Sequence, residues 1–435
     1  MFEPLYTATE MKAAEEGHDV DELMQRAGAA VADEVLLRFP DARSFAAVCG
    51  GGANGGDGRI AAELLRAAGW EERSLGEADV VLDALFGTGF TPPPRDEAAA
   101  QIRAMNEAAR PIVAVDIASG VDASTGEVPA DAVDAMLTVT FHGRKVGHEV
   151  APGRFQAGEV VVADIGLEHR PTEHARVTPE IVRLVPRRSP GDTKYTAGSV
   201  LVVGGSPGMT GAVCLTAEAA FRADAGYVVV AAPPESLPVI ETRLLEAVKR
   251  PLDDVWDAVE RAGALAIGPG LGPERNDLVH RLLKDTDLPT VIDADGLREL
   301  RPFEREAPTV LTPHSGELGR LLGEEASWVD AHRLEALRRA VDGFRCVVIL
   351  KGEGTLVGAP GEGVLVAGGA APLATAGTGD VLTGVVASFL AKGMEARLAA
   401  AAAVRAHTDA VAASGRRSGL MASDLLDALP RVLDA

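Results

Sequence analysis

The chain has 435 residues, 47% of them apolar, and a formal net charge of −22. That length exceeds what one hydrophobic core usually serves, so two domains are expected, and so acidic a field disfavours nucleic-acid and anionic-membrane partners. Cys49, Cys214 and Cys346 lie in apolar stretches at unrelated spacings and form no metal-ligand motif, so they read as reduced, buried thiols. The first residues lack a basic and apolar leader and no run reaches the length of a membrane span, so the expected location is cytoplasmic.

Short apolar runs alternate with longer amphipathic stretches along the whole chain. Residues 45–49, 80–84, 112–116 and 137–141 come first, then 199–203, 227–231, 264–267, 290–293, 309–311 and 346–350. Each is followed by Gly, Pro, Asp or Ser, as buried parallel strands are, so the fold class is α/β, layered in both halves. Between Gly166 and Thr193 the periodicity fades and charge and proline accumulate. This places a first domain at 1–170, a linker at 171–190 and a second domain at 191–435. The Ala-rich stretch 396–413 reads as a helix.

Two glycine-rich loops each follow a strand-like or small-residue run and open a helical pattern. In the first half, Gly50 to Gly58 lies between the 45–49 run and Arg59-Ile60-Ala61-Ala62, the context in which backbone amides and a helix N-terminus hold an anion. A turn needed only for close packing of strand on helix would read the same. Asp83, Asp116 and the segment Phe141 to Lys145 stand at further strand ends, where parallel sheets place their ligands. Capping of the following turn is the plainer reading of each aspartate.

These segments, with Gly87-Thr88-Gly89, Ser119-Gly120 and the opening Thr9-Glu10-Met11-Lys12, resemble the NAD(P)H-hydrate epimerase domain, a Rossmann-like three-layer fold. The resemblance implies that Ala53, Asn54, Gly55, Gly56 and Asp57, with Gly87, Thr88, Gly89 and Phe90, contact the hydrated dinucleotide. It also implies that Asn54, Asp83 and Ser119 bind K+. Epimerisation by loss and return of water needs an acid/base group beside the hydroxyl, for which Asp116 is the candidate, with Lys145 stabilising or exchanging the proton. The chain departs from the family in having Ala53 where a second Asn is usual. It also has only Gly69 to Gly76 where a further strand and helix are usual, so a weakened epimerase is an open outcome.

In the second half, Ala376-Gly377-Thr378-Gly379-Asp380 opens a helix, so its amides can face a phosphoryl group while Asp380 takes a proton from an acceptor hydroxyl. A glycine-rich N-cap with a favourably placed Asp is the structural alternative. Lys351-Gly352-Glu353-Gly354-Thr355 follows a strand and suits a nucleotide's phosphates or ribose. Together with Gly204-Gly205-Ser206, Gly268-Pro269-Gly270-Leu271-Gly272, Asp293-Ala294-Asp295 and Pro313-His314-Ser315-Gly316-Glu317, these look like the ADP-dependent NAD(P)H-hydrate dehydratase of the ribokinase-like superfamily, an α/β/α fold.

That resemblance implies that Lys351 to Thr355 and the Gly377, Thr378 and Gly379 loop hold ADP, with ATP as the alternative donor, while Ala212, Gly272, His314 and Asp380 face the hydrate. Asp293 and Asp295 are open between supporting the Mg2+ that accompanies the nucleotide and capping the next helix. His407 and Asp409 read as structural. Ala370 stands where Asn is usual, and Asp224 where Gly is usual. The expected partners are hydrated NADH or NADPH and ADP, in a homo-oligomer. A small-molecule alcohol kinase beside a non-catalytic dinucleotide-binding module is the competing reading.

Overall fold

The computed structural model describes residues 1–434. The chain divides into two compact units: residues 4–176 with 330–334, and residues 1–3, 177–329 and 335–435.

The first unit is built on a six-stranded, all-parallel sheet of order β3-β2-β4-β5-β6-β8. Its strands are β2 (Ser44–Cys49), β3 (Glu71–Glu72), β4 (Val80–Ala84), β5 (Ile112–Val115), β6 (Leu137–Phe141) and β8 (Glu159–Ala163). Alternation along β4 explains the layers. Val80, Leu82 and Ala84 pack into one apolar cluster, with residues of the helices Val20–Arg38 and Ala53–Ala67; Val81 packs into the other, with Ile102 and Met105 of the helix Asp96–Glu107. Beside this sheet the strands β1 (Phe2–Tyr6) and β7 (Arg144–Lys145) pair in parallel, Tyr6 opposite Lys145.

β3 is a stub. It pairs only with the start of β2, Ser44 opposite Glu71 and Phe45 opposite Glu72, and the chain re-enters the sheet at Val80 through residues 73–79 without a helix. Parallel strands usually need a crossover of about a dozen residues or more. The short path is possible because the stub never climbs β2, and the Asp79 carboxylate secures the return by accepting from the Arg43 and Ser44 amides at 2.9 and 3.0 Å.

The second unit carries nine strands in the order β12-β11-β10-β13-β14-β15-β16-β17-β18. β10 (Ser199–Val203), β11 (Tyr227–Ala232), β12 (Val248–Pro251), β13 (Ala264–Ile267), β14 (Thr290–Ile292), β15 (Thr309–Leu311) and β16 (Val347–Leu350) are parallel. β17 (Thr355–Gly358) and β18 (Leu365–Gly368) continue it antiparallel. The helix Thr378–Ala391 is buried along most of its length, which its small and apolar residues allow. The close approach is absolute at Gly384, where a Cβ would run into the Thr216 carbonyl oxygen.

The segment read as a linker is structured: it holds β9 (His174–Val177) and a 3-10 helix, Pro179–Leu184. Asp224 lies in the left-handed region at φ 70°, which is why glycine suits that turn; here its carboxylate is held by Arg188 and Lys392 at 2.6 and 2.7 Å. Among the described residues no helix is long and apolar enough to cross a membrane.

Candidate functional site

In the first unit the loop after β2 leads straight into the helix Ala53–Ala67, whose N-cap, Gly52, supplies no side-chain bond. Two glycines here are forced by space: a Cβ at Gly50 would strike the Leu85 carbonyl, and one at Gly55 the Gly50 carbonyl. Asn54 follows, buried, and its Nδ2 donates to the Phe86 carbonyl at 2.8 Å. A Cβ on Gly87 would stand 3.1 Å from Asn54 Oδ1, so the loop after β4 lies against this side chain. Phe86 and Phe90 stack within that loop at 4.0 Å.

Asp83 is fully buried. Its Oδ1 accepts from the Ser119 hydroxyl at 2.6 Å and its Oδ2 from the Ser119 amide at 2.8 Å. Burial pushes its carboxyl up to about 6, against the Ser119 hydrogen bonds. Asp83 thus does more than cap its own turn, where only the Leu85 amide reaches it, at 3.3 Å.

Asp116 sits at the end of β5 with φ 67°, and His142 at the end of the neighbouring β6 with φ 66°, both in a region that side chains avoid. Asp116 Oδ1 accepts from Lys145 Nζ at 2.6 Å and from the Thr140 hydroxyl at 3.0 Å. Burial disfavours its charge, but the Lys145 ammonium outweighs burial and holds the carboxyl below the usual range. Lys145 is wholly enclosed and also donates to Thr140 Oγ1 and the Phe141 carbonyl. Beneath them His148 contacts the Asp116 carbonyl and accepts from the Lys145 amide; burial drives its imidazole down to about 3. Asp57 completes the group. Burial, then Asp116 and Glu15, push its carboxyl up to about 8.

In the second unit the loop opening the Thr378–Ala391 helix turns on Gly377, at φ 90°. Thr378 braces it by donating to the Leu373 or Thr375 carbonyl, at 2.7 and 2.8 Å. Lys351, just past β16, reaches this loop: a Cβ on Gly379 would lie 3.3 Å from its Nζ. The same ammonium pairs with Asp293 Oδ1 at 2.8 Å and lies 3.7 Å from Glu317 Oε2. Burial alone would depress the Lys351 ammonium; Asp293 and Glu317 instead raise it. Asp380 in the first helical turn is pushed up to about 7, by burial first and then by Asp293, while Lys351 opposes.

Around this centre, Thr355 donates to the Gly352 carbonyl at 2.7 Å, closing the 351–355 turn. The Gly272 amide donates to Asp295 at 2.9 Å. A Cβ on Gly270 would lie 3.3 Å from Ala212 Cβ, so the ends of β10, β13 and β14 converge. His314 caps the helix Ser315–Leu322: its Nδ1 accepts from the Gly316 amide at 3.0 Å, and the Glu317 carboxylate accepts from the His314 amide at 2.9 Å.

Two family models match the chain, one described as NAD(P)H-hydrate dehydratase over residues 200–431 and one as YjeF-related protein N-terminus over 20–75 and 70–147. A bifunctional NAD(P)H-hydrate repair enzyme from Moorella thermoacetica is 35% identical, across 94% of this chain and 92% of its own. The chain belongs to the bifunctional NAD(P)H-hydrate repair enzyme family. The ADP/ATP-dependent NAD(P)H-hydrate dehydratase from Bacillus subtilis, crystallised with ATP and Mg2+, is 31% identical with a TM-score of 0.54, covering 59% of this chain and 96% of that one. A ribokinase-like superfamily protein from Enterococcus faecalis shares the fold at 23% identity and TM-score 0.54, over 61% and 98%. The N-terminal match of this repair-family chain comes in two pieces that overlap at residues 70–75, where the β3 stub lies.

Sequence reasoning missed Glu15, Thr140 and His148 in the first unit, and in the second Thr383, whose hydroxyl donates to Asp293 Oδ2 at 2.8 Å, and the Lys351 contact of Glu317. None carries a local signature, because each becomes part of a site only through tertiary placement. His407, read as structural, is buried beside the anion loop with the Thr378 backbone as partner, and burial takes its imidazole down to about 4.

Proposed function

We propose that this protein repairs hydrated NADH and NADPH, its first unit interconverting the R and S hydrates and its second dehydrating the S form at the expense of ADP. The observation that carries the reading is the meeting of Lys351, the Gly377–Gly379 amides and the Asp380 carboxyl at one helix N-terminus.

In the second unit Asp380 takes the proton of the ring hydroxyl as that oxygen attacks the β-phosphorus of ADP. The P–O bond to AMP breaks while the new P–O bond forms, and the loop amides with Lys351 meet the phosphoryl charge. Phosphate then leaves with the C–O electron pair, a proton is lost from the adjacent ring carbon, and the ring double bond returns. The sum is hydrate and ADP to dihydronicotinamide, AMP and phosphate. Lys351 to Thr355 and Gly377 to Gly379 are assigned to the nucleotide, and Ala212, Gly272 and His314 to the hydrate. Mg2+ would enter with the nucleotide's phosphates and neutralise their charge; the side chains nearest the loop are already committed to one another.

In the first unit the hydroxyl leaves ring carbon 6 as water by taking the proton shared between Lys145 and Asp116, and Asp116 takes a proton back from the water that re-adds to either face. Ala53 to Asp57 and Gly87 to Phe90 are assigned to holding the dinucleotide. Asn54, Asp83 and Ser119 fit K+: they are oxygen donors around a buried carboxylate whose partners are hydroxyl and amide groups rather than a cationic side chain. That ion would supply countercharge and fix the loop.

The experiment is recovery of dihydronicotinamide absorbance from mixed NADH-hydrate epimers with ADP, with ATP and with neither. Full nucleotide-dependent recovery is expected. A stall when one epimer is spent would remove the epimerase assignment, and a stable phosphorylated product would replace dehydration by simple kinase action.

A further inference from the structure

Asp293 ends β14 and is almost wholly buried, yet it is neither a cap nor a spare carboxylate. The 3-10 helix it precedes takes no side-chain bond from it. Both of its oxygens are committed across the sheet: Oδ1 to Lys351 Nζ at 2.8 Å, Oδ2 to the Thr383 hydroxyl at 2.8 Å. Thr383 lies one helical turn beyond Asp380, and its hydroxyl is also 3.0 Å from the Gly379 carbonyl. The carboxylate is the stronger acceptor for the single hydroxyl proton. A Cβ on Gly379 would be 3.3 Å from Lys351 Nζ and 3.7 Å from Asp293 Oδ2, so the pair lies directly against the anion loop.

We propose that Asp293 is a positioning residue for phosphoryl transfer, fixing the Lys351 ammonium with one oxygen and, through Thr383, the helix turn that carries Asp380 with the other. This rests on the nucleotide role given above to the second unit. Its physical logic is that a buried lysine needs a partner to stay charged and that a long flexible side chain needs a fixed anchor to meet a phosphoryl group in one geometry. Glu317, at 3.7 Å, shares the charge without fixing the position.

The test uses the full chain and three variants. Asp293→Asn keeps shape and removes charge; Thr383→Val cuts only the link to the helix; Thr383→Ser restores it. ADP affinity is measured by calorimetry, and dehydration rate is followed against pH. Asp293→Asn is expected to weaken ADP binding by about tenfold or more, the scale of a lost charge-assisted contact.

The groups surrounding Asp380 are Asp293, Asp295, Glu317 and Lys351. Asp293→Asn removes one negative neighbour and releases Lys351 toward the others, so the acid limb of the rate profile should move to lower pH. Thr383→Val should lower kcat with ADP affinity near that of the parent, and Thr383→Ser should recover it. ADP affinity and an acid limb both unchanged in Asp293→Asn would overturn the proposal. Should that variant not fold, Thr383→Val with parental kcat would overturn it. ADP binding that depends on Asp293 in a chain that does not dehydrate the hydrate would support the positioning role and remove the dehydratase reading.

Discussion

Each unit holds a buried lysine–aspartate pair at the mouth of a parallel sheet, but the pairs face opposite ways. In Asp116–Lys145 the lysine side chain is 0% exposed and the aspartate 11%; in Asp293–Lys351 the aspartate is 2% exposed and the lysine 21%. One pair presents an anion backed by a cation, the other a cation backed by an anion. The first arrangement suits taking a proton from a hydroxyl, the second suits meeting a phosphoryl group. The same two residue types thus serve different chemistry according to which is left nearer the opening.

The largest expected effects separate the two halves. Asp380→Asn should cut dehydration by about 10²- to 10⁴-fold and leave epimerisation untouched, whereas Asp116→Asn should do the reverse. Pure S hydrate and mixed epimers, assayed side by side, distinguish them; either variant sparing its own reaction breaks the assignment.

The lysines should differ in kind. Lys145→Met strands a buried carboxylate and is expected to destabilise the first unit by about 3–5 kcal/mol, seen in denaturant unfolding. Lys351→Met strands the still more buried Asp293 and should cost comparable stability, but it should also weaken ADP binding by about 10- to 100-fold, which Lys145→Met should not. Equal behaviour of the two would mean that the orientation of the pair is immaterial.

A pH series sharpens the contrast. A base must be ionised to act, so dehydration should rise with pH through about 7, where burial and Asp293 have placed Asp380. Asp116 should contribute no break to epimerisation over that range, because Lys145 keeps this carboxyl ionised well below it, so a break at about 8 would belong to Asp57. The smallest effect is expected from Ala53→Asn. Residue 53 is exposed at the helix start, so stability should change by no more than about 0.5 kcal/mol. Any added hydrogen bond to the hydrate would appear as a lower epimerase KM.

Much of the architecture is legible in the sequence because the central strands are buried on both faces and read as continuous apolar runs. All ten runs, from Phe45 to Leu350, are strands. The unread strands are of other kinds: β1 and β9, the two-residue β3 and β7, the partly exposed β8 that flanks β6, β12 ending in Pro251, and the antiparallel β17 and β18, each ending in glycine. The glycine-rich loops are legible for the same local reason, being set by which positions can hold no side chain. The pairing of residue 116 with 145, and of 293 with both 351 and 383, is a product of strand order and leaves no trace in spacing. Asp293 marks the limit: its place at a strand end fits a capping role and an ion role alike, and its bonds to Lys351 and Thr383 have no counterpart in spacing.

The left-handed backbone at Asp116 has a consequence for any attempt to harden this protein. An aspartate there holds a conformation that glycine or asparagine adopts more cheaply, so the fold carries a small standing strain at the residue proposed for proton exchange. Replacing it should ease that strain but leave the enclosed Lys145 ammonium without its partner, a loss that outweighs the backbone gain. Selection for heat tolerance would therefore hold Asp116 in place through its partner, and a chain that sheds the aspartate would have to shed the buried lysine with it.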